Sequence, residues 1–178
     1  MISISFTSLF NTENIGEMKN MFKNCNSLTS VDVSNFNIKN VNNMNHMFYN
    51  CHSLKSLDLS KFNSEKLLNI DYIFFNCTSL TSINLPKFKA QKLIDLSYLF
   101  YNCYSLKEIK LEDFLTFNVV DTSCMFCNCS SLSSLGLQNF DIEYVVNMTN
   151  MFDNCVSLKS LDISNYNTLN VISVEKMF

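Results

Sequence analysis

Apolar residues recur along the chain at offsets that repeat every 26 residues. In the period from Cys51 to Asn76 they fall at Cys51, Leu54, Leu57, Leu59, Phe62, Leu67, Ile70, Ile73 and Phe74, with polar residues at most other positions. Leu54, Leu57 and Leu59 form an L-x-x-L-x-L pattern whose last part alternates with period 2, which predicts a short strand with one buried face. Its counterparts are Leu28/Val31/Val33, Leu80/Ile83/Leu85, Leu106/Ile109/Leu111, Leu132/Leu135/Leu137 and Leu158/Leu161/Ile163.

The rest of each period reads differently. Met44, Met47 and Phe48 are spaced i, i+3, i+4, which predicts one face of a short helix. The residue ahead of that trio is Asn43, Asn69, Asp95, Asp121, Asn147 or Ser173 in successive periods, and all of these are good helix N-caps. Strand, bend and capped helix, repeated at a fixed period, predict an α/β solenoid. The expected form is a leucine-rich-repeat-like coil of about six 26-residue repeats, with a parallel β-sheet on one face and short helices on the other. One domain spans 1–178, with a partial repeat over 1–20 and regular repeats over 21–178. Because the last repeat breaks off at Met177-Phe178, the array is expected to be a piece of a longer one, with ends prone to end-to-end self-association.

Two columns stand out inside the period. Phe10, Phe36, Phe62, Phe88, Phe114, Phe140 and Tyr166 predict an aromatic spine. Cys25, Cys51, Cys77, Cys103, Cys129 and Cys155 form a thiol ladder, each preceded by Asn24, Asn50, Asn76, Asn102, Asn128 or Asn154. Equivalent residues of stacked coils have parallel Cα–Cβ vectors, which suits neither a disulfide nor the close spacing of a zinc site. The thiols are expected as small buried fillers. The amides are expected to stack at a bend and satisfy backbone groups there. Asn76 and Asn128, with Asn147, also fit the glycosylation acceptor pattern, but a stacked amide is a poor acceptor. Cys124 and Cys127 add C-x-x-C-x-C to one repeat. They share columns with His46, Tyr72, Tyr98 and with Tyr49, Phe75, Tyr101, and are expected as unpaired thiols on the outer face, with a local disulfide or soft-metal site as the alternative.

Composition narrows the function. The chain has 178 residues, a net charge of −3 with interspersed signs, and 47% hydrophobic residues. No basic footprint for nucleic acid is present, and no apolar run is long enough for a membrane-spanning helix. The start lacks the features of a secretory signal. The two histidines, His46 and His52, fall on outward columns, and no phosphate loop, nucleophile elbow or zinc-protease motif occurs, so no catalytic residue, cofactor or metal is expected. What remains is a binding surface. The residues alternating with the strand core would line a concave face: Asp32, Asp58, Asn84, Glu108, Lys110, Glu112 and Asp162, among serines. A second candidate is the aromatic patch Tyr49, Phe75 and Tyr101.

The stretch Met47-Phe48-Tyr49-Asn50-Cys51-His52-Ser53-Leu54-Lys55-Ser56-Leu57-Asp58-Leu59-Ser60-Lys61-Phe62-Asn63 resembles the repeat of the BspA-like leucine-rich surface proteins, MFxxCxSLxxLDLSxFNTxxVxNMxxMF, and the likeness recurs from about Leu9 to Phe178. The resemblance implies a right-handed leucine-rich coil and a non-catalytic adhesion-type module on a cell surface or outside the cell, binding a protein or glycan. An intracellular protein–protein interaction scaffold of the same fold is the alternative, and one that suits reduced thiols.

Overall fold

The computed structural model describes residues 2–7, 9–62, 64–85, 91–111, 114, 117–164 and 166–178. Six short strands occur in chain order: β1 (Ile2–Ser5), β2 (Leu28–Asp32), β3 (Ser56–Asp58), β4 (Ser82–Asn84), β5 (Glu108–Lys110) and β6 (Ser134–Gly136). They pair in parallel as β1–β2, β3–β4 and β5–β6, with Leu57 opposite Ile83 and Ile109 opposite Leu135, one repeat apart. β2 packs beside β3, and β4 beside β5. The strand expected around Leu161 is absent: residues 158–164 carry no ladder.

The expectation of an α/β solenoid with helices on one face is wrong. Among the described residues there is no helix, only parallel strand pairs joined by turns. The segment read as helical is a run of turns. Met47 N–H donates to Met44 O at 3.1 Å, Tyr49 to His46 at 3.2 Å and Cys51 to Phe48 at 3.1 Å, each spanning three residues. The intervening N–H groups leave the coil altogether: Met44 donates to Asn69 O, His46 to Asp71 O, Phe48 to Ile73 O and Asn50 to Phe75 O, at 2.8–3.2 Å. A helix directs every N–H along its own axis. Here half of them tie one coil to the next.

Backbone conformation explains why. His46 (φ 57°) and Asn50 (φ 59°) are left-handed, as are their equivalents Tyr72 and Asn76, Tyr98 and Asn102, and Cys124 and Asn128. A positive φ at the third residue of a three-residue-spanning turn is the mark of type II geometry, and two such residues four apart forbid a continuous helix. The expected cap residues still accept the expected local bond. Asn43 Oδ1 takes Asn45 N–H at 3.0 Å, and Asp95 and Asp121 take Ser97 and Ser123 at 2.7 Å. That bond closes an Asx turn as readily as it caps a helix. The same residues form parallel bridges between coils, Glu17 to Asn43 to Asn69 and Asp95 to Asp121 to Asn147 to Ser173.

The core runs through the coils as columns. Phe48, Phe74, Phe100, Phe126 and Phe152 are buried, and their rings stack at 5.2–5.9 Å with interplanar angles of 2–12°. Phe22 and Phe178 extend this stack at its two ends. The expected spine is a second column: Phe36 and Phe62 stack at 6.3 Å, and Phe114 and Phe140 are buried in line with them. Phe88 lies outside the described residues.

Candidate functional site

The strand face carries most of the expected binding residues. Asp32 ends β2, Asp58 ends β3 and Asn84 ends β4, each exposed beside an inward residue, and Glu108 and Lys110 are the two ends of β5. Glu112 lies outside the described residues, and Asp162 sits in the segment without a ladder. Across three coils the side chains of Ser30 and Asp32, Ser56 and Asp58, and Ser82 and Asn84 line a shallow groove, with the strand segments at Val31, Leu57 and Ile83 running between them and their side chains turned to the core. The structure therefore brings Asp32, Asp58 and Asn84 together.

These carboxylates have local work as well. Asp32 Oδ1 accepts Ser34 N–H at 2.9 Å, Asp58 Oδ1 accepts Ser60 N–H at 2.9 Å, and Asp162 Oδ1 accepts Ser164 N–H at 3.0 Å. Hydrogen bonds from the Ser34 hydroxyl and backbone hold the Asp32 carboxyl below its ordinary pKa, and those from Ser60 do the same for Asp58. Both stay ionised at neutral pH. One oxygen of each closes a turn, so the turn presents a negative charge at a fixed height on the groove.

The aromatic patch is a double column. Tyr49, Phe75 and Tyr101 stack at 4.8 Å with angles of 3–9°, and beside them His46, Tyr72 and Tyr98 stack at 4.7–5.0 Å. Lys23 Nζ lies 5.0 Å from the Tyr49 ring centre, closing one end of the first column. Cys124 and Cys127 occupy the next places of the two columns. Between coils the ring faces are thus taken by neighbouring rings, and Lys23 lies over the outer face of Tyr49. A sugar that needs an open ring face finds none between coils.

Next to His46 is a strained polar spot. Asp71 Oδ1, Asn45 Oδ1 and His46 Nδ1 are buried and have no hydrogen-bond partner in the protein. Burial, with Asp95 nearby, pushes the Asp71 carboxyl up, and burial with Lys23 pushes His46 down. An acid whose folded pKa is raised loses stability as pH climbs from its unfolded value through its folded one. Asp71→Asn should therefore raise the unfolding free energy at neutral pH by about 1 kcal/mol. The gain should shrink as pH falls towards the unfolded value and vanish below about pH 3, where the wild-type carboxyl is protonated in both states. Urea unfolding of both proteins across that range checks it.

The thiols behave largely as expected, with one addition, whereas the amides stack but bond to one another rather than to backbone groups. Asn50 Nδ2 donates to Asn24 Oδ1 at 3.0 Å, and the chain of amides continues through Asn76, Asn102 and Asn128 to Asn154 at 2.6–3.0 Å. The acceptor-pattern amides of Asn76 and Asn128 are committed to this chain, and Asn147 Nδ2 donates to Asp121 at 3.0 Å. All eight cysteines are thiols. Cys51, Cys77, Cys103 and Cys129 are fully buried, and each S–H points at a carbonyl of the preceding coil: Phe22, Phe48, Phe74 or Phe100, at 3.2 Å. Cys25 and Cys155 are only partly buried, and the Cys155 S–H reaches Phe126 O at 3.2 Å. Apolar spacing marks a thiol as inward but says nothing of that donor. Cys124 and Cys127 correct the expectation: they sit on outward columns yet are only 8% and 4% exposed.

One surface was missed. Leu68, Ile94, Val120 and Ile172 are exposed at equivalent positions of successive coils, with half-buried Val146 between the last two. Their N–H groups join the inter-coil ladder, Leu68 to Asn42 O at 2.8 Å and Val146 to Val120 O at 2.9 Å. Leu68, Ile94, Val120 and Val146 follow the buried Leu67, Leu93, Val119 and Val145, and Ile172 follows the partly buried Val171, so the pair reads in sequence as one inward step. Among the described residues no group of three or more His, Cys, Asp or Glu is arranged to hold a metal ion, and no helix is long and apolar enough to cross a membrane.

The repeat also matches a family model, described as Mycoplasma protein of unknown function, DUF285, over residues 3–110 and again over 94–178. The chain belongs to this family. The two matches together span nearly all of the coil stack of this DUF285 protein. No curated protein and no solved structure matches it.

Proposed function

We propose that this DUF285 protein is a non-catalytic binding module of the BspA-like surface type, which engages a protein or glycan through its strand face at or outside the cell surface. The observation that carries the reading is the groove across three coils, where hydroxyl, carboxylate and amide side chains recur at a fixed step along the strands. Asp32 and Asp58 are ionised there, so the ligand supplies donors: hydroxyls, amides or ammonium groups. Contacts of this kind are weak singly and gain strength by repetition along an extended ligand. The repeat consensus supports the surface-protein assignment, and the absence of a clustered acid–base pair in the groove suits recognition better than chemistry.

The test is a binding screen on immobilised glycans and extracellular matrix proteins, using the wild type beside Ser56→Arg and Ser82→Arg. Both serines are exposed on strands and outside the Asx turns, so Arg covers the groove without disturbing the fold. A ligand lost at least tenfold by both variants and retained by Tyr101→Leu supports the strand face. A ligand that ignores both arginines sinks it.

A further inference from the structure

Cys124 and Cys127 are the pair that the stacking argument against disulfides does not reach. They belong to one coil, three residues apart, and Cys127 N–H closes a turn onto Cys124 O at 3.2 Å. A closed turn of this kind holds its first and last Cα atoms within about 7 Å, inside the range a disulfide spans. The same turn in the preceding coils brings the side chains at these two positions together, His46 to Tyr49 at 5.2 Å and Tyr98 to Tyr101 at 5.5 Å between ring centres. Cysteines stand at these two positions in the next coil, so the same turn sets the two thiols side by side. The ladder thiols are different: Cys103 and Cys129 are wholly enclosed and each donates to a carbonyl of another coil.

We propose that Cys124 and Cys127 form a dithiol modification site that closes to a disulfide by exchange with a low-molecular-weight disulfide such as oxidised glutathione, with Cys124 attacking first. This assignment does not depend on the binding function. The thiolate of Cys124 attacks one sulfur of glutathione disulfide, a Cys124–glutathione bond forms, and the departing glutathione thiolate takes up a proton. Cys127, deprotonated in turn, attacks the Cys124 sulfur, forms the intramolecular bond and expels the second glutathione as a thiol. Two protein thiols lose two electrons and two protons, and one glutathione disulfide becomes two glutathione thiols.

The order follows from the surroundings. Cys124 is the more exposed of the two, and the Tyr98 hydroxyl donates to its sulfur, which favours the thiolate and partly offsets the burial that pushes this thiol up. Cys127 has no such donor; burial and the nearby Asp153, whose Oδ2 is 4.0 Å from its sulfur, help push it up to about 12. Tyr98 is a positioning residue. Its own hydroxyl is held up to about 12, first by the bond to Cys124, and that bond is lost when the sulfur enters a disulfide.

The experiment treats the reduced full chain with glutathione disulfide at mildly alkaline pH, quenches with acid, alkylates under denaturing conditions and maps the products by mass spectrometry. The expected result is a Cys124–Cys127 disulfide formed at least tenfold faster than any modification of Cys51, Cys77, Cys103 or Cys129. Cys127→Ser should accumulate one glutathione on Cys124, whereas Cys124→Ser should capture far less. Tyr98→Phe should move the pH profile of the first step to higher pH. Oxidation of the pair no faster than of Cys103 overturns the site, and that measurement needs only the wild type. Equal capture by the two serine variants, or a profile that Tyr98→Phe leaves in place, overturns the assignment of Cys124 as the attacking sulfur.

Discussion

Replacing Phe100 with Ala lowers the unfolding free energy by about 3–5 kcal/mol and splits what was one urea transition. Phe100 is fully buried, and its ring lies between those of Phe74 at 5.2 Å and Phe126 at 5.7 Å. Removing it leaves a cavity bounded by two rings that cannot close on each other, since the coils are held at their spacing by backbone bonds such as Phe100 N–H to Met125 O at 2.9 Å. Those bonds survive the substitution. In a stack where each coil contacts only its neighbours, a weakened interface in the middle divides the array into two cooperative segments. The matched control is Phe178→Ala: that ring stacks on Phe152 at 5.7 Å but is 70% exposed. It should cost under about 1 kcal/mol and keep a single transition. Equal costs at the two positions, read from chemical denaturation, would remove the ring column as the main source of cohesion.

The features legible before the structure were those that a fixed period fixes directly. Leu54, Leu57 and Phe62 are buried because their offsets recur, and recurrence at 26 residues is enough to place equivalent residues in columns. The amide chain through Asn50 and Asn76 was legible for the same reason. What misled was local spacing: Met44, Met47 and Phe48 point inward at i, i+3, i+4, but turns spanning three residues bring the same three positions inward. Asn43 looked like a helix cap because the Asx bond to Asn45 is the same bond. The discriminating signal was Asn itself, recurring at the position of Asn50 where a helix end would favour Gly, in a chain with only two glycines. At the candidate site, the alternation along β3 and β4 put Asp58 and Asn84 on the exposed side of their strands. It could not reveal that Asp58 spends one oxygen on its own turn, nor that the rings of Tyr49 and Phe75 cover each other.

Asn102→Ala is expected to destabilise the protein by about 2–4 kcal/mol, a large effect for a half-buried polar side chain. Two separable causes contribute. Asn102 has φ 60°, a conformation that costs a Cβ-bearing residue about 1–2 kcal/mol unless a side-chain bond compensates it. Its amide also donates to Asn76 Oδ1 at 2.6 Å and accepts from Asn128 Nδ2 at 2.8 Å, so Ala breaks the amide chain on both sides. Asn102→Gly relieves the first cause and retains the second, and should recover about 1 kcal/mol relative to Ala. Asn102→Asp tests the second cause by pH. Its carboxylate still accepts from Asn128 but faces Asn76 Oδ1 with no proton to donate, which raises its folded pKa above the unfolded value. The deficit of the Asp variant should therefore be full at neutral pH and shrink as pH falls through that raised pKa, where the protonated acid donates again. Urea unfolding of the four proteins, at neutral pH and near pH 4, separates the terms. If Gly and Ala unfold alike while Asp shows no pH dependence relative to wild type, neither the left-handed backbone nor the amide chain holds the coils in register.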